Sequence, residues 1–313
     1  MLTNEQAIAL LNAELSKKDP EIIKPLSNYT WTRDLPEGAD LDRLVDSLVL
    51  TRISAGGAQG TTKVAGKSWI AKGSNDLKDV DFDMTAEAVR VFDAGRELSW
   101  TNRDLERMQR YGVALDTEKV EILNDVFNQE AQATGYLGDD TFGFTGLLND
   151  KALAADAVKG TGLLAGTTVD VAEIIKAYDA AFRAAEERAN DNVMPNRLIV
   201  CPADYVKMHS IKVDAGNTNT VSLIEYLEKH SYAAVSGVDF KVVKVREAKG
   251  LATENANRQV LYTPEARYLK YNVMPMWREK TYDKGLQYCA AYLWRIAELQ
   301  IRHPETLLYI DNI

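Results

Sequence analysis

Between residues 46 and 98 the sequence carries strand signals and no helical periodicity, and that long extended stretch limits the possible folds more than any other feature. Leu48–Ile53 reads as a strand. The run Ser54-Ala-Gly-Gly-Ala-Gln-Gly60 reads as a turn, because glycine supplies backbone angles that other residues avoid. Asp79-Val-Asp-Phe-Asp-Met84 alternates strictly, with its acids on one face and Val80, Phe82 and Met84 on the other. Val89, Val91 and Phe92 continue the extended pattern. Two strands with a glycine-rich tip and one half-apolar face cannot bury themselves. The excursion is built to lie on another surface.

The rest of the chain supplies a core. Its 313 residues, 46% hydrophobic and 27% charged, suit a folded protein with a real interior. The pattern turns helical at residue 99. Thr101-x-x-Asp104 resembles a capping box, with Leu105 and Met108 on one face and Gly112 ending the turn. Asp116 then caps a helix of about five turns to Thr134, with Val120, Leu123, Phe127 and Ala131 as its apolar stripe. Gly135 stops it. The clearest helix runs from Val171 to Ala189, capped at Asp170-x-x-Glu173. Val171, Ile174, Ile175, Tyr178, Ala181, Phe182 and Ala185 recur on one face, which leaves Lys176 and Arg183 toward solvent.

Asn196–Cys201, Phe240–Val245 and Gln259–Tyr262 read as strands, and Asp204–Ser210 and Ser222–His230 as helices. From Arg267 to Ile313 the chain is mostly β. At the other end, Asn4–Ser16 forms a short amphipathic helix, broken by Lys-Lys-Asp-Pro at 17–20. Leu26–Ala39, with Tyr29 and Trp31, reads as an irregular arm that needs a partner surface to become ordered.

The sequence is poor in chemistry. Cys201 and Cys289 read as buried thiols of a reducing compartment, where a disulfide is not expected. His209, His230 and His303 lack the spacing of a zinc site. Asp79, Asp81 and Asp83 open like a calcium loop, but Met84 stands where glycine is needed and Arg90 where a bidentate glutamate belongs. Gly160-Thr-Gly162 and Gly56-Gly57 lack the context of a phosphate loop and read as turns. Cys201 and His209 have no oriented acid beside them, so a thiol nucleophile is not the reading. No cofactor, metal or catalytic residue is expected. No apolar run is long enough for a membrane span, and the N-terminus lacks the marks of a secretory signal. A net charge of -9 argues against tight grip on DNA, though not against a wall that encloses it.

The order of these elements, together with Gly143-Phe-Thr-Gly-Leu-Leu-Asn149 and the closing phrase Ile301-Arg-His-Pro-Glu-Thr-Leu-Leu-Tyr-Ile-Asp-Asn-Ile313, resembles the major capsid proteins of tailed bacteriophages. Thr101–Leu105 and the helix start Leu115-Asp-Thr-Glu-Lys119 fit the same family, and the resemblance covers roughly residues 48 to 313. It implies an α+β fold of the encapsulin-like capsid type: an N-terminal arm (1–47), an extended β-loop (48–98), a peripheral domain with a long spine helix (99–145 and 258–313) and an axial α/β domain (146–257). Some members carry a cleaved scaffolding segment; this arm is short, so such a segment is expected to be either absent or already removed.

The implied function is self-assembly into an icosahedral shell of hexamers and pentamers enclosing phage DNA, without specific DNA binding. Scaffold, portal and decoration proteins are implied partners, and the host bacterial cytoplasm the place of assembly. A cellular encapsulin-like compartment shell and a cytosolic α/β enzyme are the alternatives. Assembly contacts are expected at Gly56, Gly57, Gly60, Lys63, Asp79, Asp81 and Asp83 of the loop and at Tyr29 and Trp31 of the arm. Some relatives join a loop lysine to a neighbour's asparagine; Lys63, Lys67 and Lys72 read more simply as solvated charge.

Overall fold

The computed structural model describes residues 28–56, 81–104, 106, 115–160, 162, 164, 170–214, 220–252, 255–285 and 287–311. The expected arm helix at Asn4–Ser16, residues 57–60 of the glycine-rich turn and Leu105–Gly112 apart from Glu106 lie outside them; Ser54, Ala55 and Gly56, expected in that turn, continue a strand instead, because each pairs with a residue of the facing strand.

Two larger sheets organise these residues, beside a small two-stranded sheet of β6 (Lys212–Asp214) and β7 (Thr220–Ser222). The larger runs in the order β1 (Glu37–Gly38), β10 (Leu269–Arg278), β12 (Gln287–Ala297), β3 (Asp81–Thr101), β2 (Ser47–Gly56). Its short flanking strands are β11 (Tyr282–Asp283) on β12 and β13 (Gln300–Ile301) on β10. The helix α2 (Leu115–Leu137) packs on one face, where Leu123, Phe127 and Ala131 meet Trp100, Tyr292, Trp294 and Ile296. Phe127 and Trp294 touch edge to face, ring centroids 6.0 Å apart. The predicted stripe is therefore the buried one.

The smaller sheet runs β4 (Val158–Lys159), β14 (Leu308–Asp311), β9 (Arg258–Tyr262), β5 (Arg197–Val200), β8 (Lys241–Lys244). Alternation along its strands sends side chains into two cores. Ile199, Val260, Tyr262 and Tyr309 join the core under α2. Leu198, Val200, Leu261, Leu308 and Ile310 join a second core with the helix α4 (Val171–Arg188). The helices α5 (Pro202–Ser210), α6 (Leu223–His230) and α7 (Tyr232–Val235) also pack into this second core. The boundary expected at 257/258 thus cuts through hydrogen-bonded strands. β9 and β14 lie beyond it in sequence, yet they complete the sheet of the preceding region because their two faces feed both cores.

Three local expectations change. The residue Asp116 lies inside α2, which starts one residue earlier. The helix also runs through Gly135 and ends before Gly138, whose φ of 71° suits glycine. Gly135 serves close packing instead: a Cβ there would stand 2.5 Å from Leu35 and 3.2 Å from the Tyr271 ring. Finally, the arm from Tyr29 to Gly38 is ordered on its own subunit. It forms the single turn α1 (Trp31–Asp34) and then β1, parallel to β10. Trp31 and Leu35 are buried in the core beneath α2, which supplies the surface that the composition demanded.

Other expectations stand. Asp170 caps α4 by accepting from the Ala172 and Glu173 amides, and Ile174, Tyr178, Ala181, Phe182 and Ala185 are buried. Thr101 and Asp104 form a reciprocal capping box, each side chain bonding the other's backbone amide at 3.2 Å.

Candidate assembly surfaces

β3 changes partner halfway along. Residues 91–101 pair with β12 inside the large sheet. Residues 81–90 pair only with β2, from Gly56↔Asp81 to Ser47↔Arg90, as a ribbon that leaves the sheet. Residues 84–88 are all exposed, as are Val49 and Met84. A two-stranded ribbon with apolar groups in water is marginal alone and calls for a covering surface.

Two arginines hold the ribbon to the body, Arg90 at its root and Arg52 halfway along its described length. Arg90 donates to the carbonyls of Phe142 at 2.7 Å and Gly143 at 2.8 Å, and its Nε lies 3.6 Å from Glu298. Arg52 donates to the carbonyls of Ile301 and Arg302 at 3.2 and 3.4 Å. Phe92 packs on Phe142 and Phe144, centroids 4.4 and 4.9 Å away. Nearby, Arg295 is buried and donates to the carbonyls of Asp42 and Val45 while pairing with Asp93. These arginines were not legible as anchors, since on a strand they look like solvated charge. Further along β3, Glu97 accepts from Tyr282 and Lys284. Bonds from Cys289, Lys284 and Tyr282 hold its carboxyl down at about 2.

The Gly-Leu-Leu-Asn corner closes the end of α2. The amides of Leu147 and Leu148 bond the carbonyls of Gly135 and Tyr136 at 2.9 and 2.8 Å, and the Asn149 side chain bonds that of Leu137. Helix ends leave such carbonyls unpaired unless the chain returns to them. Gly146 must be glycine, since a Cβ would lie 2.4 Å from the Gly138 nitrogen. The closing phrase docks here too. Arg258 grips Asp311 through two bonds of 2.8 Å and donates to Leu148, while the Tyr309 hydroxyl donates to Leu147. The arm is tied to the same body by Asp34. Its buried carboxylate accepts from Arg33, Arg197 and Tyr136.

Of the residues expected to make assembly contacts, Gly56 and Asp81 pair at the ribbon's described limit and Asp83 pairs opposite Ser54. Gly57, Gly60, Lys63 and Asp79 lie outside the described residues. Tyr29 is half-buried, its hydroxyl on Asp125. Trp31 is 4% exposed and edge-on to Tyr271, so its side chain serves the subunit's own core.

The chemistry-bearing residues are dispersed. Cys201 and Cys289 are free and buried, and burial pushes the Cys201 thiol up. Cys201 Sγ caps α5 by accepting from the Asp204 amide, while His209 is exposed at that helix's other end. His230 is exposed, and His303 pairs with Glu305. Among the described residues no group of three His, Cys, Asp or Glu is placed to hold a metal, and no helix is long and apolar enough to cross a membrane.

A family model described as major capsid protein matches residues 66–313. No curated protein matches the chain. Among solved structures, the capsid of Myoviridae phage XM1 superposes with a TM-score of 0.72 at 15% identity, covering 96% of this chain and 98% of that one. The capsid of an empty GTA particle gives 0.61 at 10% identity, covering 99% of each. The holo-SrpI encapsulin complex from Synechococcus elongatus PCC 7942 gives 0.58 at 9% identity, covering 97% and 95%.

Proposed function

Because this chain belongs to the major capsid protein family, we propose that its copies close an icosahedral shell around phage DNA. It is a structural, shell-forming subunit of the virion capsid. In this reading the ribbon of β2 and β3 lies over neighbouring copies, while residues 28–38 of the arm stay on their own subunit. The part built on α2 and the large sheet sets contacts between capsomers, and the region 146–257 closes hexamers and pentamers. Identical chains in slightly different environments need such extensions to absorb the differences. Each contact can be weak because many act together.

The observation that carries the proposal is the ribbon: a long pair of strands with exposed Val49 and Met84, held to the body by Arg90 at its root and by Arg52 halfway along. The net charge of -9 fits DNA that is enclosed rather than gripped. Scaffold, portal and decoration proteins are the partners this reading gives it, with assembly in the host bacterial cytoplasm. The family match favours a phage shell over a cellular compartment of the same fold.

Deletion of residues 55–66 tests it. The subunit is expected to stay soluble and folded by circular dichroism, because a glycine-rich tip adds little to the core. It is expected to form no shells. Loss of folding would show that the tip belongs to the core and that the ribbon is not an assembly device.

A further inference from the structure

The first described residues of the arm, Asn28 to Thr30, line a pocket of about 460 Å³ together with Gln132 of α2 and Glu247. Glu247 is the residue without a full set of partners. Only 8% of its side chain is exposed. One of its carboxylate oxygens accepts from Gln132 at 2.7 Å and from Arg246 at 3.2 Å. The other is buried and has no hydrogen-bond partner. Gln132 in turn accepts from the Thr30 amide at 2.9 Å, so the arm and α2 together hold the carboxylate in place. A buried charged oxygen without a donor is unfavourable, and a donor that enters the pocket relieves it.

The charges at the mouth leave one cation over. Arg33, Lys244 and Arg246 line the pocket and are exposed. Arg33 is paired with Asp34, and Arg246 with Glu247. The Lys244 ammonium lies 6.0 Å from the centre of the Tyr205 ring and has no carboxylate partner among the described residues. The pocket thus presents a free acceptor inside and a free ammonium at its mouth. A segment that fits it brings a strong donor with an acid close by.

Residues 1–27 lead directly into this pocket's wall at Asn28. Counted back from Asn28, the first two charged residues are Lys24 and Glu21, a donor and an acid. Four residues of chain span at most about 14 Å, so Lys24 stays within reach of the pocket whatever path the chain takes. We infer that residues 21–27 dock in the pocket of their own subunit, with Lys24 donating to the free oxygen of Glu247 and Glu21 pairing with Lys244. The occupant is the chain's own segment because the arm from Tyr29 onward already lies on its own subunit, and the same course continues upstream. The seat fixes where the rest of the arm leaves the subunit.

Cross-linking of the full chain tests this. Unlabelled and isotopically heavy subunits are mixed and treated with a carbodiimide, which joins an amine to a carboxylate in contact with loss of water. Mass spectrometry of the digest is expected to find Lys24 joined to Glu247, with both halves carrying the same label. Halves of different label would place the segment on a second copy and overturn the inference. Absence of the Lys24–Glu247 link would overturn it as well. Hydrogen exchange at the amides of Leu26, Ser27 and Asn28 gives a second arm that needs no reagent in the pocket. Lys24→Met and Glu247→Gln are each expected to speed that exchange about tenfold, and the double variant no further than either single one. Single variants that leave the exchange unchanged, or whose effects multiply in the double variant, contradict the inference.

Discussion

Replacing Arg258 with methionine is expected to cost the unassembled subunit about 3–5 kcal/mol, the loss seen when one partner of a buried ion pair is removed. The pair lies almost wholly out of water, with 6% of the Arg258 side chain and 9% of the Asp311 side chain exposed. The guanidinium also donates to the Leu148 carbonyl and lies 4.8 Å from the centre of the Tyr309 ring. Methionine fills similar volume but leaves Asp311 charged and unpaired beside the corner that closes α2. Urea denaturation measures the loss. Changing Asp311 to leucine as well should recover most of it, because a buried pair replaced on both sides by apolar groups is often neutral. A single variant within about 1 kcal/mol of wild type would mean that water reaches the pair, as for a surface salt bridge.

The second large effect is expected at Phe182. Its side chain is fully buried in α4 and meets Phe240 edge to face, centroids 5.0 Å apart and planes at 87°. Phe182→Ala removes that contact and leaves a cavity, for about 3–5 kcal/mol. Lys176→Ala on the exposed face is expected to change stability by less than about 0.5 kcal/mol. Arg183 is a less clean control than its position suggests, since its guanidinium lies over the Tyr232 ring. Equal losses at Lys176 and Phe182 would mean that the stripe is assigned to the wrong face.

What the sequence made legible was periodic or local. The stripe of α4, the alternation entering β3 and the Thr101–Asp104 box each depend on residues a few positions apart. Gly135 misled because a glycine marks either a helix end or a close approach. Only Leu35 and Tyr271, both distant in sequence, decide between them. The shared small sheet was hidden for a similar reason: β9 and β14 carry apolar residues on both faces, which says that they are buried but not between which layers. The candidate assembly ribbon was visible as a pattern without a core of its own. Its clamps were not, because Arg52 and Arg90 act on backbone carbonyls that present no residue type to recognise. The arm's anchor was equally hidden, since Asp34 is held by Arg197 and Tyr136 from far along the chain.

The central claim is that this chain builds a shell. Electron microscopy of the purified full-length protein, expressed alone and with a scaffold, tests it most directly. Rings, tubes or closed shells are the predicted result. A clean monomer at every protein and salt concentration, with the circular dichroism of a folded α+β protein, would contradict it.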